Sequence, residues 1–182
     1  LLLWLINDRQ TAPQPQVERA LEAVESWAVR RILLRRTMKD VNNLVVSLLR
    51  ELAQHRDQIG DATVAFLKAQ QADARQWPTD EELLNELPTI KAYGNIKQAR
   101  LESVLAGIEL HLRTERHEDV SLPARLEIEH VMPQGWRRYS DGEGREDPVA
   151  EARRDGLVNS MGNLTLVTKK LMSSIDCACT GV

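Results

Sequence analysis

Apolar residues recur at three- and four-residue spacing over the first two thirds of the chain, the signature of amphipathic helices. Val17, Ala20, Leu21, Val24, Trp27 and Ala28 form one such stripe and predict a helix over 17–37. Val41, Leu44, Val45, Leu48, Leu49 and Leu52 repeat it over 41–57, behind Asp40 as a predicted N-cap. A shorter helix is expected from Asp61 to about Asp73. Thr79-Asp80-Glu81-Glu82 has the form of a capping box, in which Thr79 and Glu82 satisfy each other's free backbone amides. The helix it starts must be brief, because Pro88 cannot continue it. Ile96, Leu101, Val104, Leu105, Ile108 and Leu112 predict another long helix.

The pattern then changes. Leu126 to Val131 alternates apolar and polar, a strand signal. Residues 133–158 are polar and irregular and predict a loop, with one short helical turn near 148–154. Asn163 to Val167 is a second strand candidate, and a short helix is expected over 168–174. The fold class is therefore α+β and mostly α-helical: a helical platform over 1–120, then a C-terminal ββα unit over 121–182. No internal repeat or low-complexity tract occurs.

With 182 residues, 42% hydrophobic and only 4% aromatic, the composition is that of an ordinary helix-rich globular protein. No run is long and apolar enough to cross a bilayer. Leu1-Leu2-Leu3-Trp4-Leu5-Ile6 lacks the basic start and cleavage site of a signal peptide and suggests the end of a helix, hence a fragment of a longer protein. A formal charge of −3 argues against phosphate binding spread over the whole surface. Arg30, Arg31, Arg35, Arg36 and Lys39 do form one dense basic cluster, for which a solvated helix face is the plain alternative to a nucleic-acid contact. Cys177 and Cys179 make a poor disulfide and half a zinc site at best, and a reducing cytoplasm is expected.

The chemistry concentrates in Ile128-Glu129-His130-Val131-Met132-Pro133-Gln134 and in Met161-Gly162-Asn163-Leu164-Thr165-Leu166. A histidine takes a proton from water, and a neighbouring carboxylate holds a divalent cation against a phosphate. An asparagine side chain fixes the imidazole's tautomer and direction. Strict strand alternation would send Glu129 and His130 to opposite faces, which would keep them from sharing a site. Asn159 is a further candidate in that loop.

The two runs, in this order and separated by a loop, resemble the His-Me finger (HNH) nucleases. More narrowly they resemble the C-terminal nuclease domain of GmrSD- and SspE-type restriction proteins, whose pattern is Ile-Glu-His-Ile/Val-x-Pro-Gln followed by Gly-Asn-Leu-Thr-Leu and a short helix. Trp27-Ala28-Val29-Arg30-Arg31 and Trp77-Pro78 extend the likeness into the helical part, from about residue 17 to Ser174.

The resemblance implies that His130 is the general base, that Glu129 binds a single Mg²⁺ or Mn²⁺, and that Asn163 orients His130 through a hydrogen bond, with irregular backbone where the first strand enters the loop. A further asparagine of the family falls at Met172, a soft thioether and a poor partner for magnesium. Lys169 and Lys170 would lie beside the scissile phosphate, and Arg30, Arg31, Arg35 and Arg36 are candidate DNA contacts. The implied protein is a metal-dependent endonuclease that nicks double-stranded DNA in bacterial anti-phage defence. It would act in the cytoplasm on modified DNA, such as phosphorothioated or glucosylated DNA, beside an N-terminal nucleotide-hydrolysing sensor domain of the same protein. The alternative is a DNA-binding or scaffold module whose metal site is degenerate at Met172.

Overall fold

The computed structural model describes residues 1, 12–113, 123, 125–138 and 147–168. Lys169, Lys170, Met172, Cys177, Cys179 and, beyond Thr168, the helix expected after the second strand lie outside the described residues. The fold is α+β and mostly helical, with one small antiparallel sheet. The chain divides into two compact units, residues 1–85 and 86–182.

In the first unit, α1 (Gln14–Leu33), α2 (Val41–Gln54) and α3 (Ile59–Lys68) pack by the stripes their sequences carry. α1 buries Val17, Ala20, Ala23 and Trp27; α2 buries Leu44, Leu48 and Leu52; α3 buries Ile59, Thr63 and Leu67. Burying a leucine or isoleucine side chain stabilises the fold by roughly 1.5–3 kcal/mol, so these rows hold the unit together. α3 begins close against α1: a Cβ added at Gly60 would lie 2.6 Å from the Gln16 carbonyl oxygen. There the Gln16 side chain supplies the missing cap. Its Oε1 accepts from the amides of Gly60 (2.8 Å) and Asp61 (3.0 Å).

α1 stops at Leu33, short of the expected residue 37, because Arg35 takes a left-handed conformation (φ 55°) and the Arg36 amide bonds back to the Arg31 carbonyl. Asp40 stands at the N-cap of α2 without capping it. Its carboxylate instead accepts from Arg75 and from Asn43 Nδ2. The capping box forms as expected: the Thr79 amide donates to Glu82 Oε2 (2.7 Å) and the Glu82 amide to Thr79 Oγ1 (3.1 Å). It opens α4 (Asp80–Glu86), which ends in a 3₁₀ turn over Leu87–Thr89 containing Pro88.

In the second unit, α5 (Gln98–Leu112) packs against β1 (Glu127–His130) and β2 (Leu164–Val167). The strands pair antiparallel, with Glu129 opposite Thr165 and His130 opposite Leu164. Of α5 only Leu101 is buried, while Ile108 and Leu112, expected on its apolar face, are exposed. Lengths explain this: a four-residue strand is about 13 Å long. The fifteen-residue helix runs about 22 Å and outreaches it. The expected helical turn near 148–154 is the longer α6 (Pro148–Leu157), capped by Asp147, whose side chain accepts from the Val149 amide at 3.1 Å.

Candidate active site

β1 ends at His130, and the chain bends at Val131 and Met132, after both Glu129 and His130, which stay in regular strand. The bend is fixed from Asn163, the residue before β2. The Val131 amide donates to the Asn163 carbonyl (2.9 Å), and the Met132 amide to Asn163 Oδ1 (2.7 Å). Asn163 Nδ2 returns hydrogen bonds to the carbonyls of Met132 (2.9 Å) and Val158 (2.8 Å). Every hydrogen-bonding group of this amide thus has a backbone partner. Asn163 thereby pins the two residues that follow His130. No hydrogen bond joins the two side chains, in contrast to the direct orienting bond the sequence suggested.

The imidazole is held by other residues. His130 Nε2 lies 3.2 Å from Asn159 Oδ1 and 3.4 Å from Gln134 Nε2, and Gln134 Nε2 donates to the same Asn159 oxygen (3.0 Å). Tyr93 meets the ring edge-on, with centroids 4.6 Å apart and planes at 73°. Asn159 is itself anchored, because its carbonyl accepts from the amides of Ala92 (2.9 Å) and Tyr93 (3.1 Å). Asn159 entered the sequence analysis only as a loop candidate, and Gln134 only as part of the motif. Tyr93 carried no signal, lying 37 residues upstream in an unremarkable turn.

Glu129 is half-buried on the strand position before His130. Alternation along β1 turns its side chain to the other face. Among the described residues no three of His, Cys, Asp and Glu come together as a metal site.

The arginine cluster is largely committed to the first unit. Arg31 is 1% exposed and donates to the carbonyls of Gln76 (2.7 Å), Thr37 (2.5 Å) and Asp73 (3.0 Å), so it cannot meet DNA. Burial pushes its pKa down, partly offset by nearby Asp73. Arg30 is taken by Ser26, the Pro78 carbonyl and Asp80, and Arg36 reaches Glu82. Arg35 is exposed.

A held imidazole at a strand end, on a bend clamped by an asparagine, defines an α+β domain built around one half-buried histidine. The model of the family described as GmrSD restriction endonucleases, C-terminal domain, matches residues 77–176, which include the whole of this arrangement. The chain belongs to that family and is a restriction endonuclease domain, a protein that meets DNA. No curated protein and no solved structure matches the chain. Among the described residues no helix is long and apolar enough to cross a membrane.

Proposed function

We propose that the domain hydrolyses phosphodiester bonds in double-stranded DNA, one strand at a time, with His130 as the general base. The observation that carries this is the contact between His130 Nε2 and Asn159 Oδ1. An acceptor at Nε2 favours the tautomer protonated there, which leaves the lone pair on Nδ1. Nδ1 takes a proton from water, the resulting hydroxide attacks phosphorus, and the bond to the 3′-oxygen breaks, that oxygen leaving as the 3′-hydroxyl with a proton from solvent. Gln134 and Tyr93 hold the ring in plane, and Asn163 holds the bend on which it stands.

Glu129 is the carboxylate that the family resemblance assigns to a cation. A cation held there would offset the negative charge on the leaving 3′-oxygen. Modified DNA as substrate, recognised by a nucleotide-hydrolysing domain of the same protein in the bacterial cytoplasm, is part of this reading and rests on the resemblance. A second reading, a domain that grips DNA without cutting it, rests on Met172, which stands where the resembled family carries a further asparagine.

Conversion of supercoiled plasmid to open circles separates the two. Hydrolysis predicts nicking that His130→Ala lowers by about 10²–10⁴-fold, the usual contribution of a general base. Nicking undiminished in His130→Ala would sink the proposal, and DNA binding with no nicking by any variant would favour the second reading.

A further inference from the structure

The second unit sets two arginines against one indole and a third beside it in sequence. Trp136, 7% exposed, lies in a 3₁₀ turn over Trp136–Arg138. Arg137 stands 4.8 Å and Arg154 5.3 Å from its ring centroid. Trp136 Nε1 donates to Asp155 Oδ1 (3.2 Å), and Arg137 donates to the second oxygen of that carboxylate. Arg137 also approaches Glu151 Oε2 at 3.8 Å. Arg137 and Arg154 are thereby committed to fastening this turn onto α6.

Arg138 is different. It is exposed, and among the described residues its side chain has no hydrogen bond or ion pair. Its backbone amide donates to the Gly135 carbonyl (2.9 Å). Its Cδ lies 3.9 Å from where a Cβ of residue 135 would stand, so the stem leans back over the glycine. Gly135 directly follows Gln134, whose Nε2 is 3.4 Å from His130 Nε2. One uncommitted guanidinium therefore leans over the turn that touches the imidazole, in a chain whose formal charge is −3.

We propose that Arg138 binds a backbone phosphate of duplex DNA next to the phosphodiester that His130 attacks. The inference rests on the assignment of His130 as the base. A guanidinium matches phosphate oxygens with two parallel N–H donors, and its positive charge displaces a condensed counterion. The fastening of the turn by Trp136, Arg137 and Asp155 keeps that fork aimed, which lowers the ordering cost of the contact. Gly135 leaves the space its stem occupies.

The test is duplex binding against salt concentration in the His130→Ala background, where the DNA stays uncut. Adding Arg138→Gln should lower affinity and make the log–log salt slope shallower by about 0.9, the value for one phosphate contact. Arg138→Lys should keep most of the slope. Removing an equal charge on α5 with Arg100→Gln should leave it unchanged, and thermal stability should not move in any of the three. Equal slopes and affinities for Arg138→Gln and Arg100→Gln would overturn the inference, as would a chain that binds no duplex at low salt. Because binding is read without cleavage, nicking that survives His130→Ala would count against the base assignment while leaving this slope intact.

Discussion

Asn163 and Met132 exchange two hydrogen bonds: the Met132 amide donates to Oδ1 at 2.7 Å and Asn163 Nδ2 donates to the Met132 carbonyl at 2.9 Å. The side-chain amide stands in for a strand neighbour just where β1 has ended. Replacing it with alanine frees an amide and two carbonyls, at about 1–3 kcal/mol for each group that stays buried and unpaired. Asn163→Ala should therefore lower both the melting temperature and nicking. Asn163→Asp should not rescue either, because an ionised carboxylate cannot donate to Met132 and Val158. Wild-type stability and nicking in Asn163→Ala would refute the clamp.

Asn159 predicts a different pattern, since it touches the imidazole and not the clamped bend. Asn159→Ala should reduce kcat for nicking about 10-fold or more while leaving KM for DNA near its starting value, because positioning a base acts on the chemical step. A rise in KM alone would assign Asn159 to DNA binding.

Gly60 tests the packing of the first unit. An alanine there would put its Cβ 2.6 Å from the Gln16 carbonyl oxygen and 2.8 Å from Arg19 Cβ, so helices α1 and α3 must separate. Overpacking of this kind costs about 1–3 kcal/mol. Chemical denaturation of Gly60→Ala should show that loss, and an unchanged midpoint would mean that the helices part freely.

Three carboxylates set the acid limb of stability. Hydrogen bonds from Arg75 and then Asn43 hold Asp40 below its usual 3.8. Those from Arg137 and then Trp136 act likewise on Asp155, and the Thr79 amide holds Glu82 below 4.5. A carboxyl whose folded pKa is depressed contributes its stability in full above the unfolded value and loses it as pH falls through the folded one. Between pH 7 and 5 these groups should leave the melting temperature level. Below 4.5 it should fall, and less steeply in Asp155→Asn than in the parent. Asp155 is exposed and Asp40 and Glu82 only half-buried, so the effect should be modest and salt-sensitive. An Asp155→Asn curve parallel to the parent would remove Asp155 from the account.

The helices were legible because their faces carry a repeating apolar signal: Leu44, Leu48 and Leu52 are buried as the spacing required. The capping box was equally plain, being a local exchange between Thr79 and Glu82. Ends were harder. Arg35 closes α1 in a conformation usually left to glycine, so no residue type announced it. α6 buries nothing, so periodicity was silent, although Asp147-Pro148 is a cap followed by a first-turn proline. At the site, His130 and Asn163 stand in recognisable motifs. The imidazole's actual neighbours, Asn159 and Tyr93, reach it through tertiary hydrogen bonds at Ala92 and Tyr93 that no local pattern encodes.

Chemical rescue reads whether His130 accepts a proton from the attacking water. Nicking of supercoiled plasmid by His130→Gly should fall by about 10²–10⁴-fold and recover as imidazole is added, in proportion to its unprotonated fraction. A His130→Gly protein that nicks at the parent rate without imidazole would contradict the account.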